Sequence, residues 1–178
     1  VAIRESPAAE RVAWGRVNIW WGDERWLPSG DPERNETIAR RALLDHVPIN
    51  PERVHAMPAS DAGLSLDDAA AQYAATIAAA SPSHLALPPF DIVFLGVGPD
   101  GHVASLFPGA PGVRERDALV IPVRNSPKLP PERLSLTFPV INSAARVWMV
   151  LAGTDKASAL GLALAGASVD EVPVAGVR

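Results

Sequence analysis

The 178-residue chain has no cysteine, which excludes disulfide cross-links and thiolate chemistry. No apolar run approaches the length of a membrane span, and the first residues lack a secretory-signal pattern. No large charge of either sign is present: the formal net charge is −4, which removes any bulk electrostatic case for nucleic acid. There is no internal repeat, and the proline-rich stretches are too short to separate domains. What remains is a chain that is 48% apolar and alanine-rich, long enough to bury a substantial core as one domain over 1–178.

The sequence is organised around residues 90–109. Phe90-Asp91-Ile92-Val93-Phe94-Leu95 reads as a strand buried on both faces. Gly96-Val97-Gly98-Pro99-Asp100-Gly101-His102-Val103-Ala104-Ser105-Leu106-Phe107-Pro108-Gly109 follows, a tight connection at the strand's carboxyl end, where open α/β sheets place their ligands. Gly96-x-Gly98-x-x-Gly101 matches a dinucleotide-binding pattern, but that pattern needs a long helix to begin at the glycines. Pro108, Gly109, Pro111 and Gly112 interrupt the chain too soon for one. The same loop offers a histidine, suited to proton transfer near neutrality, and Asp100 two residues away to orient or tune it. An isolated turn of this composition would be read as structural; a glycine-dense loop at a strand end favours function.

Upstream, Arg16–Gly22 reads as a strand entering a second loop, Asp23-Glu24-Arg25-Trp26-Leu27-Pro28, on the same sheet edge. Asp31 and Pro32 predict a helix start, with the helix running to about Leu44 or Asp45. His46 suits the dipole at its end, a short strand follows at 54–57 with His55 structural, and His84 belongs to a solvated breaker segment. Ser65 or Asp61 caps a helix over 66–80. Residues 118–123 predict a strand, 133–138 a half-buried strand, 139–145 a short helix, and 146–151 another buried strand. Thr154 caps a last helix whose Lys156 opposes the dipole, a placement that suits a docked anion. Alternating strands and helices with short glycine-bearing loops give an α/β class with a mainly parallel sheet.

The pair of loops 21–28 and 96–108 resembles the glucosamine-6-phosphate isomerase/6-phosphogluconolactonase family. The similarity continues through Ser126-Pro127-Lys128, Arg133-Leu134-Ser135-Leu136-Thr137, Ile141-Asn142 and 153–156. The resemblance implies a Rossmann-like sheet flanked by helices, the fold shared with glucosamine-6-phosphate deaminase and ribose-5-phosphate isomerase. It implies hydrolysis of 6-phosphoglucono-δ-lactone in the pentose phosphate pathway, without cofactor or metal, in the cytoplasm. The deaminase branch differs: it continues into Asn-Glu-Pro where this chain has Ser105-Leu106-Phe107-Pro108, and carries Tyr in place of Arg25. An amino-sugar-phosphate deaminase and an inactive sugar-phosphate-binding fragment are the alternatives.

On this reading His102 handles the proton, Asp100 tunes it, and Arg25 stabilises the oxyanion or holds phosphate. Asp23, Glu24, Arg34, Asn35, Gly98, Gly101, Ser105, Arg133 and Lys156 are the expected substrate-binding set, although position 34 is serine in many family members. The partner is a small-molecule sugar-phosphate lactone, with no nucleic acid and no membrane. The family also normally begins with a further strand and glycine-rich loop and continues past Val172-Pro173; the chain, starting at Val1, is expected to lack both.

Overall fold

The computed structural model describes residues 2–178. Among the described residues, seven short strands form three sheets. β1 (Ile19–Trp20) pairs in parallel with β3 (Val54–His55), and β4 (Val93–Gly96) pairs in parallel with β7 (Val147–Val150). Between them in the chain, β2 (Asp23–Arg25), β6 (Arg133–Leu136) and β5 (Val120–Val123) make an antiparallel ribbon with β6 in the middle. The helices are α1 (Ala2–Glu5), α2 (Asn35–Ala42), α3 (Leu66–Ala79), α4 (Phe138–Ile141) and α5 (Ala157–Leu164). The α/β class with parallel strands and flanking helices is as expected; the ribbon carrying the acidic-basic triplet is an addition.

α3 is the element most plainly written in the sequence. Ser65 accepts from the Asp68 N–H at 3.1 Å as N-cap, while Asp61 instead accepts from the Ser29 N–H. Leu66, Ala69, Ala70, Tyr73 and Ile77 then fall on one buried stripe at helical spacing. Tyr73 carries its hydroxyl into the core, where it accepts from the Trp21 N–H and donates to the His55 carbonyl, fastening α3 to the β1–β3 pair. The core is a contiguous cluster joining these side chains to Leu95, Val103, Leu106, Leu134, Val140 and Ile141.

Several expectations are corrected. Asp23-Glu24-Arg25 is a strand, not a loop, because its backbone pairs with Arg133–Ser135 of β6. α2 starts at Asn35 rather than beside Asp31. The Asp31 carboxylate closes a turn onto the Glu33 N–H, and the helix's free N–H groups at Asn35 and Glu36 are taken by Glu24 at 2.7 and 2.9 Å. A helix start set by a side chain from another strand leaves no local cap signal. β6 is buried along its whole length, not half-buried, since β2 and β5 cover both its edges and the polar members are hydrogen-bonded. β4 and β7 show the reverse: Leu95 faces the core while Phe94, Trp148 and Val150 stay 61, 52 and 61% exposed. Strand alternation sends these side chains to a face that no described element covers.

The later helices are shorter than expected. α4 ends at Ile141, and Thr154 opens a 3-10 turn rather than capping α5. His46 meets the Arg41 carbonyl at the end of α2, His55 stacks on Trp20, and His84 is exposed. No helix among the described residues is long and apolar enough to cross a membrane.

Candidate active site

The connection after β4 folds back on itself. Val97 bridges Val103 in antiparallel fashion, the Gly98 N–H donates to the His102 carbonyl at 2.9 Å, and Gly101 turns the chain at φ +77°. No helix starts at the glycines, which removes the dinucleotide pattern. A β-carbon on Gly98 would lie 2.0 Å from Nδ1 of His102, so the imidazole occupies the room that only glycine leaves. Gly101 faces away from the cleft, with Val172 and Ala159 at its back.

His102 Nδ1 stands 2.5 Å from Oδ1 of Asp100. Burial works to raise the Asp100 carboxyl, but the hydrogen bond and charge of His102, with the Lys128 ammonium, outweigh it and hold the group below its ordinary value. Lys128 Nζ lies 3.3 Å from the same Nδ1 and 3.8 Å from Oδ1 of Asp100.

The opposite wall is β2. Strand alternation turns Glu24 inward, where it is 1% exposed, and leaves Asp23 and Arg25 on the other side. Desolvation raises the Glu24 carboxyl, opposed by the N–H groups of Glu36, Asn35 and Arg25 and by the Arg34 charge. Asp23 accepts from Asn35 Nδ2 and, at 2.8 Å, from the Ser105 hydroxyl, a bond that ties the strand to the histidine loop. Ser105 is itself held through its N–H by the Ser135 hydroxyl at 3.1 Å. Arg25 Nη1 donates to the Glu33 carbonyl, while its Nε is buried without a partner among the described residues.

Arg133 closes the floor. Its Nε and Nη2 donate to the carbonyls of Pro130, Lys128 and Leu129, and Nη1 lies 3.9 Å from the Asp23 carboxylate. Burial lowers its pKa, Asp23 offsets this, and Arg25 adds to the lowering. Between these walls lies a cleft of about 310 Å³ lined by Asp23, Arg25, Asn35, Gly98, His102, Ala104 and Arg133, with Gly22 and residues 94–97. A second hollow of about 230 Å³, beside α2, is lined by Glu36, Arg40, Arg41 and Asp45 and lacks a histidine.

The family model described as "Glucosamine-6-phosphate isomerases/6-phosphogluconolactonase" matches residues 2–178. The chain belongs to this family. It is 55% identical to a 6-phosphogluconolactonase of Streptomyces coelicolor over 181 aligned positions, covering 99% of this chain and 69% of that protein. A Mycobacterium tuberculosis 6-phosphogluconolactonase is 45% identical, with 96 and 70% covered. Among solved structures, the Thermotoga maritima 6-phosphogluconolactonase superposes with a TM-score of 0.83 at 28% identity, covering 99% of this chain and 75% of that one. A monomeric glucosamine-6-phosphate deaminase, at 20% identity and a TM-score of 0.78, shares the fold.

Within the 6-phosphogluconolactonase family frame, the structure gathers most of the residues singled out in the sequence. Asp23, Arg25, Asn35, Gly98, His102 and Arg133 line one cleft, with Asp100 and Ser105 bonded directly to members of it. Three do not join. Glu24 is consumed by the α2 N-terminus. Arg34 is fully buried, donating to the carbonyls of Leu27 and Met57 and pairing with Glu36, so it presents no surface to a phosphate. Lys156 bonds the Ala152 carbonyl and Asp155 beside it, satisfied locally. Sequence reasoning missed Lys128 and Ser135 as site residues; the Ser126-Pro127-Lys128 and Arg133–Thr137 stretches that carry the resemblance were the pointers to them.

Proposed function

We propose that the cleft between β2 and the histidine loop hydrolyses 6-phosphoglucono-δ-lactone to 6-phosphogluconate, with His102 moving the proton. The observation that supports this most directly is the bond from Ser105 to Asp23, which fastens the two loops across one cleft containing His102 and Arg25. With its Nδ1 against Asp100, His102 offers Nε2 to a water molecule. That water loses a proton to Nε2 as its oxygen attacks the lactone carbonyl. The carbonyl electrons become an oxyanion, which the Arg25 guanidinium on the cleft wall stabilises. Collapse breaks the bond to the ring oxygen, which takes the proton back from Nε2, leaving a hydroxyl and a carboxylic acid that ionises.

The protein is net negative and the substrate anionic, so binding needs local positive charge; Arg25 and Nη1 of Arg133 supply it. Asp23 and Asn35, on the same wall, suit the sugar hydroxyls. A phosphorylated lactone does not cross a bilayer unaided, which supports a cytoplasmic reaction beside the enzymes that make it.

The test is an assay with freshly generated lactone, corrected for spontaneous hydrolysis, comparing the chain with His102→Ala. We expect kcat to fall by about a hundred- to ten-thousandfold. Undiminished activity in the variant would remove His102 from the reaction.

A further inference from the structure

Two groups of opposite charge converge on a single nitrogen of His102. Nδ1 lies 2.5 Å from the Asp100 carboxylate and 3.3 Å from the Lys128 ammonium. An ammonium has donors only, so Nδ1 cannot give its hydrogen to Lys128. The shorter contact assigns that hydrogen to Asp100, and Nε2, which has no hydrogen-bond partner among the described residues, keeps the lone pair. A carboxylate alone beside an imidazole has a drawback for a base: it favours the imidazolium, which has no lone pair to accept a proton from water.

We propose that Lys128 is a positioning residue for the proposed hydrolysis, its ammonium offsetting the Asp100 charge so that Asp100 orients the ring without holding it protonated. This rests on the reading of His102 as the proton carrier. The placement of Lys128 is built rather than incidental. Arg133, 5% exposed, donates to the carbonyls of Lys128, Leu129 and Pro130, and the Lys128 N–H bonds the Ser126 hydroxyl. One buried guanidinium therefore fixes the backbone from which the ammonium reaches the dyad.

The other charged groups about the ring do not replace it. Asp23 and Arg25 stand across the cleft on β2 and Arg133 on its floor, with Asp23 3.9 Å from the Arg133 guanidinium; Phe107 packs against the imidazole at 4.7 Å. Among the described residues, Lys128 alone of the cations is within 4 Å of both members of the dyad.

The experiment follows the His102 ring resonances by NMR across pH in the intact chain, assigned by their loss in His102→Gln. It compares wild type, Lys128→Met and Lys128→Arg, alongside the pH profile of kcat/KM. We expect the midpoint and the acid limb of the profile to rise by about one pH unit in Lys128→Met. The rise should shrink at high salt, because Lys128 is part-exposed, and Lys128→Arg should largely restore the wild-type midpoint. An unmoved midpoint in Lys128→Met, with only KM raised, would overturn the proposal and make Lys128 a substrate anion contact. A chain without lactonase activity would defeat the functional reading separately, since the ring titration is measured without substrate.

Discussion

At the scale of single residues, the position that most sharply separates catalysis from folding is Gly98. Its missing β-carbon leaves the space filled by the imidazole, and the clash on substitution is with a side chain, which can swing away. Gly98→Ala should therefore leave Tm nearly unchanged while lowering kcat by about a hundredfold, the cost of displacing a catalytic group by an ångström or so. Equal losses of Tm and activity would contradict this. Arg25→Ala should lower kcat/KM by about a hundredfold or more, through kcat if it meets the oxyanion and through KM if it meets phosphate. Asp100 gives a pH signature. Its folded pKa is depressed, so its contribution to stability is complete above the ordinary carboxylate range and is lost as pH falls through the lowered folded value. Acid unfolding followed by circular dichroism should be less pH-dependent in Asp100→Asn.

At the scale of elements, α2 is held by charge rather than by its own cap. Glu24 accepts two of its first N–H groups while pairing with Arg34 at 3.7 Å in the interior. Removing either partner strands a buried charge, so Arg34→Ala should cost about 3–5 kcal/mol in denaturant unfolding. A variant that kept full stability and lost only substrate affinity would restore the phosphate role that burial argues against. α3 behaves in the ordinary local way: Ser65→Ala should cost about 1 kcal/mol. The contrast explains what could be read beforehand. The cap and the apolar stripe of α3 lie within fifteen consecutive residues and were legible; the start of α2 depends on a carboxylate eleven positions earlier and was not. In the same way His102 and Asp100 sit in one turn and announced themselves, whereas Lys128 reaches the pair from 26 residues downstream.

For the molecule as a whole, the cleft lies where the antiparallel ribbon meets the end of β4, so its two walls belong to different sheets. The outer face of β4 and β7 exposes Phe94, Trp148 and Val150, an adjoining apolar surface expected to bind a hydrophobic dye. Replacing Trp148 and Val150 by serine and threonine should reduce that binding with little loss of Tm. The sequence by itself determined the α/β class, the helix that the structure places at 66–79 and the pairing of His102 with Asp100 in one turn, because each rests on local periodicity or on residues a few positions apart. Only the tertiary structure decided that the acidic-basic triplet is a strand, that Arg34 is an internal tie and that Lys128 stands beside the histidine. Strand pairing and burial are contacts between distant parts of the chain, and no local pattern of residues encodes which distant partner will arrive.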